Sequence, residues 1–425
     1  MNNEIPYVES LPAHWSVIQN RFLFQYDGEK VGGASAQYQL LSLTTAGVKE
    51  RDINATGGKI PASYDNYQTV RKGQMVFCLF DLDCSAVFSG ISNYDGMITS
   101  AYDVFSSTGR MDNAYADYWF KYVFSNRYYK MFSKSIRYTI TGDMFRSLKT
   151  PVPPIDEQRR IASFLLEQET KVDALIANVQ AQIEKLKAYK QSVITEVVTK
   201  GIEPSVPMKD SGVEWIGEIP KHWSMTRIKF ICDTFGRIGF RGYTTDDFVP
   251  EGEGAITLSP SNFNDMKMNY SKCSYLSWDK YNESPEIQIK NGDVLFVKTG
   301  STYGKSCLVY NLPCEATINP QSIVFKNFKC DARLFCYFLN SVYAYWQVEQ
   351  TVVGGTIPTI AQSKIINYII VLPDEQSQAE IVAYLDEKCS QIDRLIAIKQ
   401  KKINKLTEYK KSLIYEYVTG KKEVS

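Results

Sequence analysis

The sequence predicts a mixed α+β protein built as a tandem duplication, in which each copy has a globular α/β domain followed by a long helix. Two observations support this fold class. Similar segments recur 208 to 220 positions apart, and each copy ends in the apolar spacing that is typical of paired helices. The composition agrees, because 44% apolar and 22% charged residues among 425 are ordinary for a globular chain of about three domains.

The duplication is visible at three places along the chain. A His-Trp-Ser tripeptide at 14–16 recurs at 222–224, and a glycine turn at 73 recurs at 292. Residues 161–199 and 381–419 are identical at 18 of 39 aligned positions. Unrelated segments share far fewer residues, so the chain is expected to contain two copies of a unit slightly longer than 200 residues.

Each copy is predicted to end in a helix of about 40 residues that pairs with its counterpart. Apolar residues follow alternating three- and four-residue spacings, and Lys190 and Lys410 interrupt this seam at matching places. A flanking stripe of Leu175, Ile194, Leu395 and Ile414 is expected to widen the apolar face. Packing into an ordinary core, without a pairing role, is the alternative. The predicted pairing residues are Leu165, Val172, Ile176, Val179, Ile183, Leu186, Val193, Leu385, Ile392, Ile396, Ile403, Leu406 and Leu413.

The ends of the helices set the predicted domain limits. Asp156 and Asp374 are expected N-caps, and Gly201 and Gly420 follow the last periodic residues. The polar, proline-bearing segment after the first helix is typical of a linker. The expected division is a first globular domain at 1–154, a long helix at 155–200, a linker at 201–207, a second globular domain at 208–372, a long helix at 373–420 and a tail at 421–425.

The globular parts are predicted to mix short strands with helices that bury aromatic faces. Alternating apolar residues and glycine turns indicate the strands, and apolar stripes at helical spacing indicate the helices. The expected strands are 38–44, 74–80, 255–259 and 293–298, and the expected helices are 117–126 and 333–341.

Several enzymatic functions are disfavoured by the residues present. Only two histidines make a histidine triad or a multi-histidine metal site improbable. The segment 300–306 resembles a phosphate loop but has three residues, not four, between its glycines. The segment 319–322 lacks the second proline and the aromatic residue of an amino-methyltransferase loop. Acidic residues near 81–95 have no counterparts in the second copy, which favours surface carboxylates over a metal site.

Charge and cysteine content set expectations for the compartment and the partners of the chain. The nine cysteines are odd in number and form no CxxC pair, so free thiols in a reducing cytosol are expected. The start of the chain has no secretory signal, and no apolar stretch is long enough for a membrane span. A net charge of +1 argues against strong non-specific nucleic-acid binding by the whole chain, although local basic patches remain possible.

Three segments are candidates for contact with nucleic acid. Residues 121–149 combine seven cations with interleaved tyrosines, 236–242 is a glycine-rich loop with two arginines, and 298–305 carries donors and acceptors on a flexible backbone. For the basic run, a solvated helix face is an equally good interpretation. The candidate DNA contacts are Lys130, Lys134, Arg137, Tyr138, Thr141, Arg237, Arg241, Lys298, Thr299, Ser301, Thr302, Tyr303 and Lys305.

Over its whole length the chain resembles the specificity (S) subunits of type I restriction-modification systems. The resemblance rests on Ser-Gly-Val-Glu-Trp-Ile-Gly-Glu-Ile-Pro-Lys-His-Trp at 211–223, on Gly-Asp-Val-Leu-Phe at 292–296 followed by Thr-Gly, and on Leu-Pro-Asp-Glu-Gln at 372–376 before the second long helix. The first copy has a weaker start at 11–15. The combination of motifs is specific, whereas any one of them alone is weak.

The resemblance implies an architecture and a set of partners. Two target-recognition domains are joined to two helices that pair as an antiparallel coiled coil with pseudo-twofold symmetry. The chain is expected to read a bipartite, gapped target in double-stranded DNA and to dock two methyltransferase (M) subunits and, through them, restriction (R) subunits. It is expected to be cytoplasmic, to contact no membrane and to catalyse no reaction. S-adenosylmethionine, ATP and Mg are expected only on the partner subunits.

Differences between the copies imply different half-sites. Gln74 stands where the second copy has Asp293, and the first copy has Tyr-Thr-Ile-Thr-Gly at 138–142 where the second has Gly-Gly-Thr-Ile-Pro at 354–358. Two other function classes stay open at this point. One is an enzyme with its own active site, which should act on DNA without partners, and the other is a coiled-coil scaffold without a DNA role.

Overall fold

The computed structural model describes residues 5–52, 63–133 and 137–424. The chain forms two compact units, each of which includes part of both long helices. The first unit comprises Met1–Gln180 with Lys401–Ser425, and the second comprises Ala181–Gln400.

The first unit combines small antiparallel sheets with helices. Its largest sheet has four strands in the order β2-β9-β6-β7, and three further pairs are β1-β10, β3-β4 and β5-β8. The strands are β1 (Ser16–Gln19), β2 (Phe24–Tyr26), β3 (Leu41–Thr44), β4 (Gly47–Glu50), β5 (Gln68–Val70), β6 (Met75–Phe77), β7 (Ser89–Ile91), β8 (Gly96–Ile98), β9 (Asp103–Ser107) and β10 (Lys149–Val152). The helices are α1 (Asn113–Ser125), α2 (Gly142–Ser147) and α3 (Ile155–Lys200), of which α3 continues into the second unit.

The second unit has larger sheets. A six-stranded sheet has the order β14-β24-β21-β22-β18-β17, and a five-stranded sheet has the order β15-β19-β16-β23-β20. The strands are β11 (Met208–Asp210), β12 (Glu218–Pro220), β13 (Ser224–Arg227), β14 (Asp233–Gly236), β15 (Phe248–Val249), β16 (Ala255–Leu258), β17 (Phe263–Asn264), β18 (Lys267–Met268), β19 (Ser274–Leu276), β20 (Gln288–Ile289), β21 (Val294–Val297), β22 (Ser306–Leu308), β23 (Ala316–Ile318), β24 (Ser322–Lys326) and β25 (Ile369–Leu372). The helices are α4 (Ile228–Ile231), α5 (Trp278–Asn282), α6 (Ala332–Leu339), α7 (Val342–Glu349), α8 (Gln362–Ile365) and α9 (Glu375–Val418), of which α9 ends in the first unit.

The topology confirms the predicted duplication. The strand order β2-β9-β6-β7 of the first unit recurs in the second unit as β14-β24-β21-β22, with antiparallel pairing at each step. The strand pair that precedes each long helix also recurs, because Ser16 pairs with Val152 and Ser224 pairs with Leu372. The expected strands and helices exist, with ends shifted by a few residues. The first expected helix begins earlier, at Asn113, because the Asp112 side chain caps it.

The long helices pack antiparallel within each unit. In the first unit, Lys410 Nζ lies 2.9 Å from an Asp173 carboxylate oxygen. In the second unit, Lys190 Nζ lies 2.7 Å from an Asp393 carboxylate oxygen. These two lysines are the residues that interrupt the predicted apolar seam, so each interruption is filled by a cross-helix ion pair.

The predicted pairing residues are buried or half-buried. The buried members are Leu165, Val172, Val179, Ile183, Leu385, Ile392, Ile403 and Leu413. The half-buried members are Ile176, Leu186, Val193, Ile396 and Leu406. The flanking stripe is wrong in part, since Ile194 and Ile414 join the cores but Leu175 and Leu395 are about half exposed.

The start of the first long helix corrects the predicted cap. Asp374 is an N-cap, because its carboxylate accepts hydrogen bonds from the Ser377 backbone and hydroxyl. Asp156, by contrast, lies inside the first turn of α3, which begins at Ile155. The two helix starts align at an offset of 220, not 218. At that offset Gln158 matches Gln378, and their side chains donate to the carbonyls of Pro153 and Pro373 respectively.

Two further findings concern the cysteines and the helices. All nine cysteines are free thiols. In the described ranges, none of the helices is both long and apolar enough to cross a membrane.

Candidate nucleic-acid interface

In the second unit, three loops meet beside the end of β21. The backbone N–H groups of Lys298 and Thr299 donate to the Gln321 carbonyl at 2.8 and 3.2 Å. The N–H of Gly300 donates to the Pro358 carbonyl at 2.9 Å, and the N–H of Ile360 donates to the Lys298 carbonyl at 2.8 Å. We name this convergence of 298–305, 319–321 and 353–359 the second-unit loop cluster.

Lys298 is the half-buried cation of the second-unit loop cluster. A Cβ built at Gly236 would lie 3.9 Å from its Nζ, so the ammonium also borders the glycine-rich segment 236–242. Burial lowers the pKa of Lys298. Within the described ranges, its ammonium has neither a salt bridge nor a hydrogen bond. An anionic or carbonyl group of a ligand would therefore restore the interactions that the ammonium lost on leaving water.

The other predicted residues of this loop differ in availability. Ser301 and Lys305 are exposed, whereas Thr299 and Thr302 are half-buried. The hydroxyl of Tyr303 donates to a Glu349 carboxylate oxygen at 2.9 Å, and this hydrogen bond raises the pKa of Tyr303. The Tyr303 hydroxyl could contact a base only if its hydrogen bond to Glu349 were broken. Ser301, Lys305, Thr299 and Thr302 could contact DNA without such a change.

Arg237 is engaged inside the unit, so a direct DNA contact, which stays a prediction, would require its guanidinium to leave its hydrogen-bond partners there. Its side chain is buried, and its guanidinium donates to the carbonyls of Ile318 and Arg241 and to the Thr317 hydroxyl at 3.0 to 3.3 Å. Burial lowers the pKa of Arg237. The sequence showed an arginine in a glycine-rich loop but not that the loop folds over it. Arg241 is half-exposed and lies 3.3 Å from a Glu286 oxygen.

Sequence reasoning compared 354–358 between the copies but did not select residues from it as contacts. The structure makes Val353–Thr359 a hairpin, closed by two backbone hydrogen bonds of 2.9 and 2.8 Å between its end residues. Gly354 has φ +95°, and a Cβ there would lie 2.8 Å from the Ile357 carbonyl oxygen, so the turn requires glycine. Val353 and Ile357 are 66% and 64% exposed. The hairpin therefore presents two aliphatic side chains to solvent, one at its closed end and one at its turn.

The first unit has an equivalent loop cluster after β6, with different chemistry. The N–H of Ile140 donates to the Leu79 carbonyl at 2.7 Å, which matches the Ile360–Lys298 hydrogen bond at offsets of 220 and 219. The N–H of Leu82 donates to the Tyr138 carbonyl at 3.4 Å, as Gly300 does to Pro358. The structure therefore aligns Tyr138 with Pro358, which corrects the comparison of 138–142 with 354–358 made from the sequence. We name 78–88 with 137–142 the first-unit loop cluster. Its backbone follows the same plan, but its first loop carries two aspartates.

These aspartates pair with the predicted basic run. An Asp83 carboxylate oxygen lies 2.9 Å from Lys130 Nζ, and the other accepts from the Tyr129 hydroxyl at 2.9 Å. The hydrogen bond from Lys130 lowers the pKa of Asp83, so the carboxylate is ionised at neutral pH. Asp81 lies 3.6 Å from Arg137. The basic run is therefore partly neutralised, which the sequence could not reveal because these pairs span 47 and 56 positions.

The remaining predicted residues of the first unit take varied positions. The side chain of Arg137 is 80% exposed. Tyr138 has φ +48°, and its ring lies under Lys130 Nζ at 4.4 Å. Thr141 caps α2 by accepting from the Met144 N–H. Lys134 lies outside the described residues. In the parts of the chain that the structure describes, there is no group of three or more His, Cys, Asp or Glu placed to hold a metal ion.

Comparisons with known proteins agree with one another. A sequence profile for the type I restriction modification DNA specificity domain matches residues 243–408. The type I restriction enzyme MjaVIII specificity subunit of Methanocaldococcus jannaschii is 28% identical over 283 residues, which cover 65% of this chain and 63% of that protein. The putative MjaX specificity subunit of the same organism is 25% identical over 286 residues, covering 67% and 61%. The matches therefore span less than two thirds of these relatives.

A solved structure shows the same fold along almost the whole chain. It is a chain from a study of complex assembly and conformational transition of the type I R-M system. The TM-score is 0.69 at 16% identity, and the match covers 97% of this chain and 99% of the solved one.

Proposed function

We propose that the chain is a specificity subunit like the type I restriction-modification proteins it resembles, and that it reads a bipartite, gapped target in double-stranded DNA. It docks two methyltransferase subunits and, through them, restriction subunits, and it catalyses no reaction itself. S-adenosylmethionine, ATP and Mg are bound by those partner subunits and not by this chain. One observation supports this proposal above the others: the two units hold equivalent loop clusters on the same backbone plan, with different side chains in them.

The chemistry of the two clusters supports two different half-sites. The second-unit loop cluster offers an ammonium group, which suits the acceptors of guanine, and hydroxyl groups, which suit either donors or acceptors on base edges. Its exposed aliphatic hairpin residues suit the methyl group of thymine. The first-unit loop cluster offers Arg137 and the Asp81 carboxylate, which suit guanine and the cytosine amino group. Exposed cations such as Lys305 would contact phosphates, which position the protein without reading sequence.

Exposed apolar residues at matching positions of the two long helices support the proposal that two identical methyltransferase subunits bind. Leu175 and Leu395 are 49% and 47% exposed, and Tyr189 and Tyr409 are 58% and 51% exposed. Each pair is related by the 220-residue offset of the duplication. Two copies of one methyltransferase subunit need two equivalent surfaces, and these matched positions supply candidates for both.

The length of the helices would set the gap between the half-sites. The ion pair between Asp173 and Lys410 aligns 174–180 with 403–409 inside the first unit. Deleting both segments removes one heptad from each helix and leaves that ion pair in place. Seven residues correspond to about 10 Å of helix, or roughly three base pairs of DNA.

The test is to map adenine methylation with the doubly deleted chain and its methyltransferase subunit. We expect unchanged half-sites separated by a gap about three base pairs shorter. Deletion of 174–180 alone is the matched control, because it destroys the alignment of the helices and should abolish methylation. If the half-sites changed and the gap did not, the proposal that the loops recognise the half-sites and that helix length sets the gap between them would be refuted.

A further inference from the structure

The hairpin Val353–Thr359 presents an aliphatic side chain to solvent beside the polar residues of 298–305, which are candidate DNA contacts. No residue from 352 to 359 is charged. Ile357 is 64% exposed although it directly precedes Pro358, whose carbonyl accepts the hydrogen bond from Gly300. Ile357 is thus a member of the second-unit loop cluster whose aliphatic side chain is left mostly open to solvent.

The hairpin is also held firmly enough to aim this side chain. Its ends exchange two backbone hydrogen bonds, and the Thr359 hydroxyl donates to the Ile357 carbonyl at 3.4 Å. The N–H of Ile360 continues the attachment to the Lys298 carbonyl. The backbone at Ile357 is therefore held relative to Lys298, a residue of the same loop cluster. A fixed position is what a base contact requires, because a mobile side chain would lose entropy on binding.

The position of the first unit that corresponds to Ile357 carries a side chain of different chemistry, Arg137. The carbonyls of Tyr138 and Pro358 accept equivalent hydrogen bonds, so the residues before them, Arg137 and Ile357, correspond. Both side chains are largely exposed. Arginine recognises the acceptors of guanine, whereas an aliphatic side chain can contact only the C5-methyl group among the major-groove features of a base pair.

We propose that Ile357 is a specificity-determining residue that contacts the C5-methyl group of a thymine in the half-site read by the second unit. This proposal rests on the proposed function. One position of that half-site is then a T·A pair, and the Ile357 side chain recognises its thymine. Lys298, on the attached loop, contacts the neighbouring bases or phosphates.

The test pairs a change in the DNA with a change in the protein. The full chain is assembled with its methyltransferase subunits, and binding is measured on duplexes in which each thymine of the second half-site is replaced, one at a time, by deoxyuridine. For the wild type we expect one replacement to weaken binding about fourfold, the loss expected for uncovering one methyl group. For Ile357→Ala we expect weaker binding to the thymine duplex and no further loss with deoxyuridine.

Val342→Ala is the matched control, because Val342 is an exposed aliphatic residue of the same unit at 48% exposure. It should keep the full sensitivity to deoxyuridine. Persistence of that sensitivity in Ile357→Ala, or a second half-site in which no thymine responds in the wild type, would overturn the proposal. The proposal would also be overturned if Ile357→Ala failed to assemble with the methyltransferase subunits but kept its DNA preference. That result would mean that Ile357 contacts a protein partner and not DNA. Absence of any sequence preference in the wild type would instead refute the proposed function.

Discussion

The Lys190 ammonium lies 2.7 Å from Asp393, and the duplicated residues Lys410 and Asp173 form the same cross-helix ion pair at 2.9 Å. Both lysines stand where the apolar seam of the helices is interrupted. Lys190 also contacts Asp265 at 2.5 Å, so this one side chain ties both long helices to the globular part of the second unit. Its side chain is 9% exposed, compared with 27% for Lys410.

Replacement of Lys190 by methionine should destabilise the second unit by about 1.5–3 kcal/mol, since it removes hydrogen bonds to charged groups and leaves Asp393 with the more distant Lys267 ammonium at 3.7 Å. Lys410→Met is the matched control and should cost less, because its surroundings are more hydrated. Urea unfolding followed by tryptophan fluorescence would measure both variants. Equal losses for the two variants would contradict the account.

The stability that Lys190 contributes should depend on pH in the alkaline range. Burial lowers the pKa of Lys190, but hydrogen bonds to Asp265 and Asp393 outweigh burial and raise it above 10.5 overall. A raised pKa in the folded state means that the contribution is fully present below about pH 10.5 and is lost as the pH rises through the folded-state value. The stability difference between wild type and Lys190→Met should therefore be constant from pH 7 to 9 and shrink above pH 10.5. A difference that grows with rising pH would contradict this sign.

Asp83 should restrain the affinity of the first unit for DNA in general. Asp83→Asn leaves Lys130 and Arg127 without the carboxylate that lies 2.9 and 3.8 Å away. Affinity for a non-specific duplex should rise several-fold. The slope of log K against log salt concentration should become more negative by about 0.9 for each new phosphate contact. Fluorescence anisotropy between 50 and 200 mM NaCl would measure both effects.

Asp143→Asn separates this local effect from net charge. Asp143 is exposed in the first turn of α2 and carries the same charge. If both variants changed affinity and salt dependence equally, the effect would be one of net charge, and the assignment of Asp83 as a local restraint would be wrong.

Arg237 should matter to folding and Arg241 should not. Arg237→Met removes three hydrogen bonds from a buried guanidinium and exposes their acceptors to an apolar side chain. We expect a loss of at least about 1.5–3 kcal/mol for the second unit, while Arg241→Met should cost less than about 1 kcal/mol. Lysine at 237 should rescue little, because it lacks the planar fork of donors. Urea unfolding measures stability, and hydrogen exchange of peptides from 233–245 locates the change. A larger loss for Arg241→Met would reverse the roles.

Periodicity and repetition predicted the duplication and the paired helices because both are properties of residues near one another or at a fixed offset. The roles of Arg237 and Asp83 were not accessible in that way. Arg237 bonds to residues about 80 positions away, and Asp83 pairs with a lysine 47 positions away. Composition indicated a basic, aromatic run but not that the fold would bring carboxylates against it. The start of α3 was misjudged because Asp156 resembled a cap, although a proline precedes the helix there.

The most direct test of the central claim is adenine methylation across the genome, mapped by long-read sequencing in cells that carry this chain with its methyltransferase subunit and in cells deleted for the chain. We predict one gapped motif with two half-sites, fully methylated in the first cells and unmethylated in the second. An identical methylation pattern in both, with the methyltransferase subunit present and active, would contradict the proposal that this chain selects the DNA target.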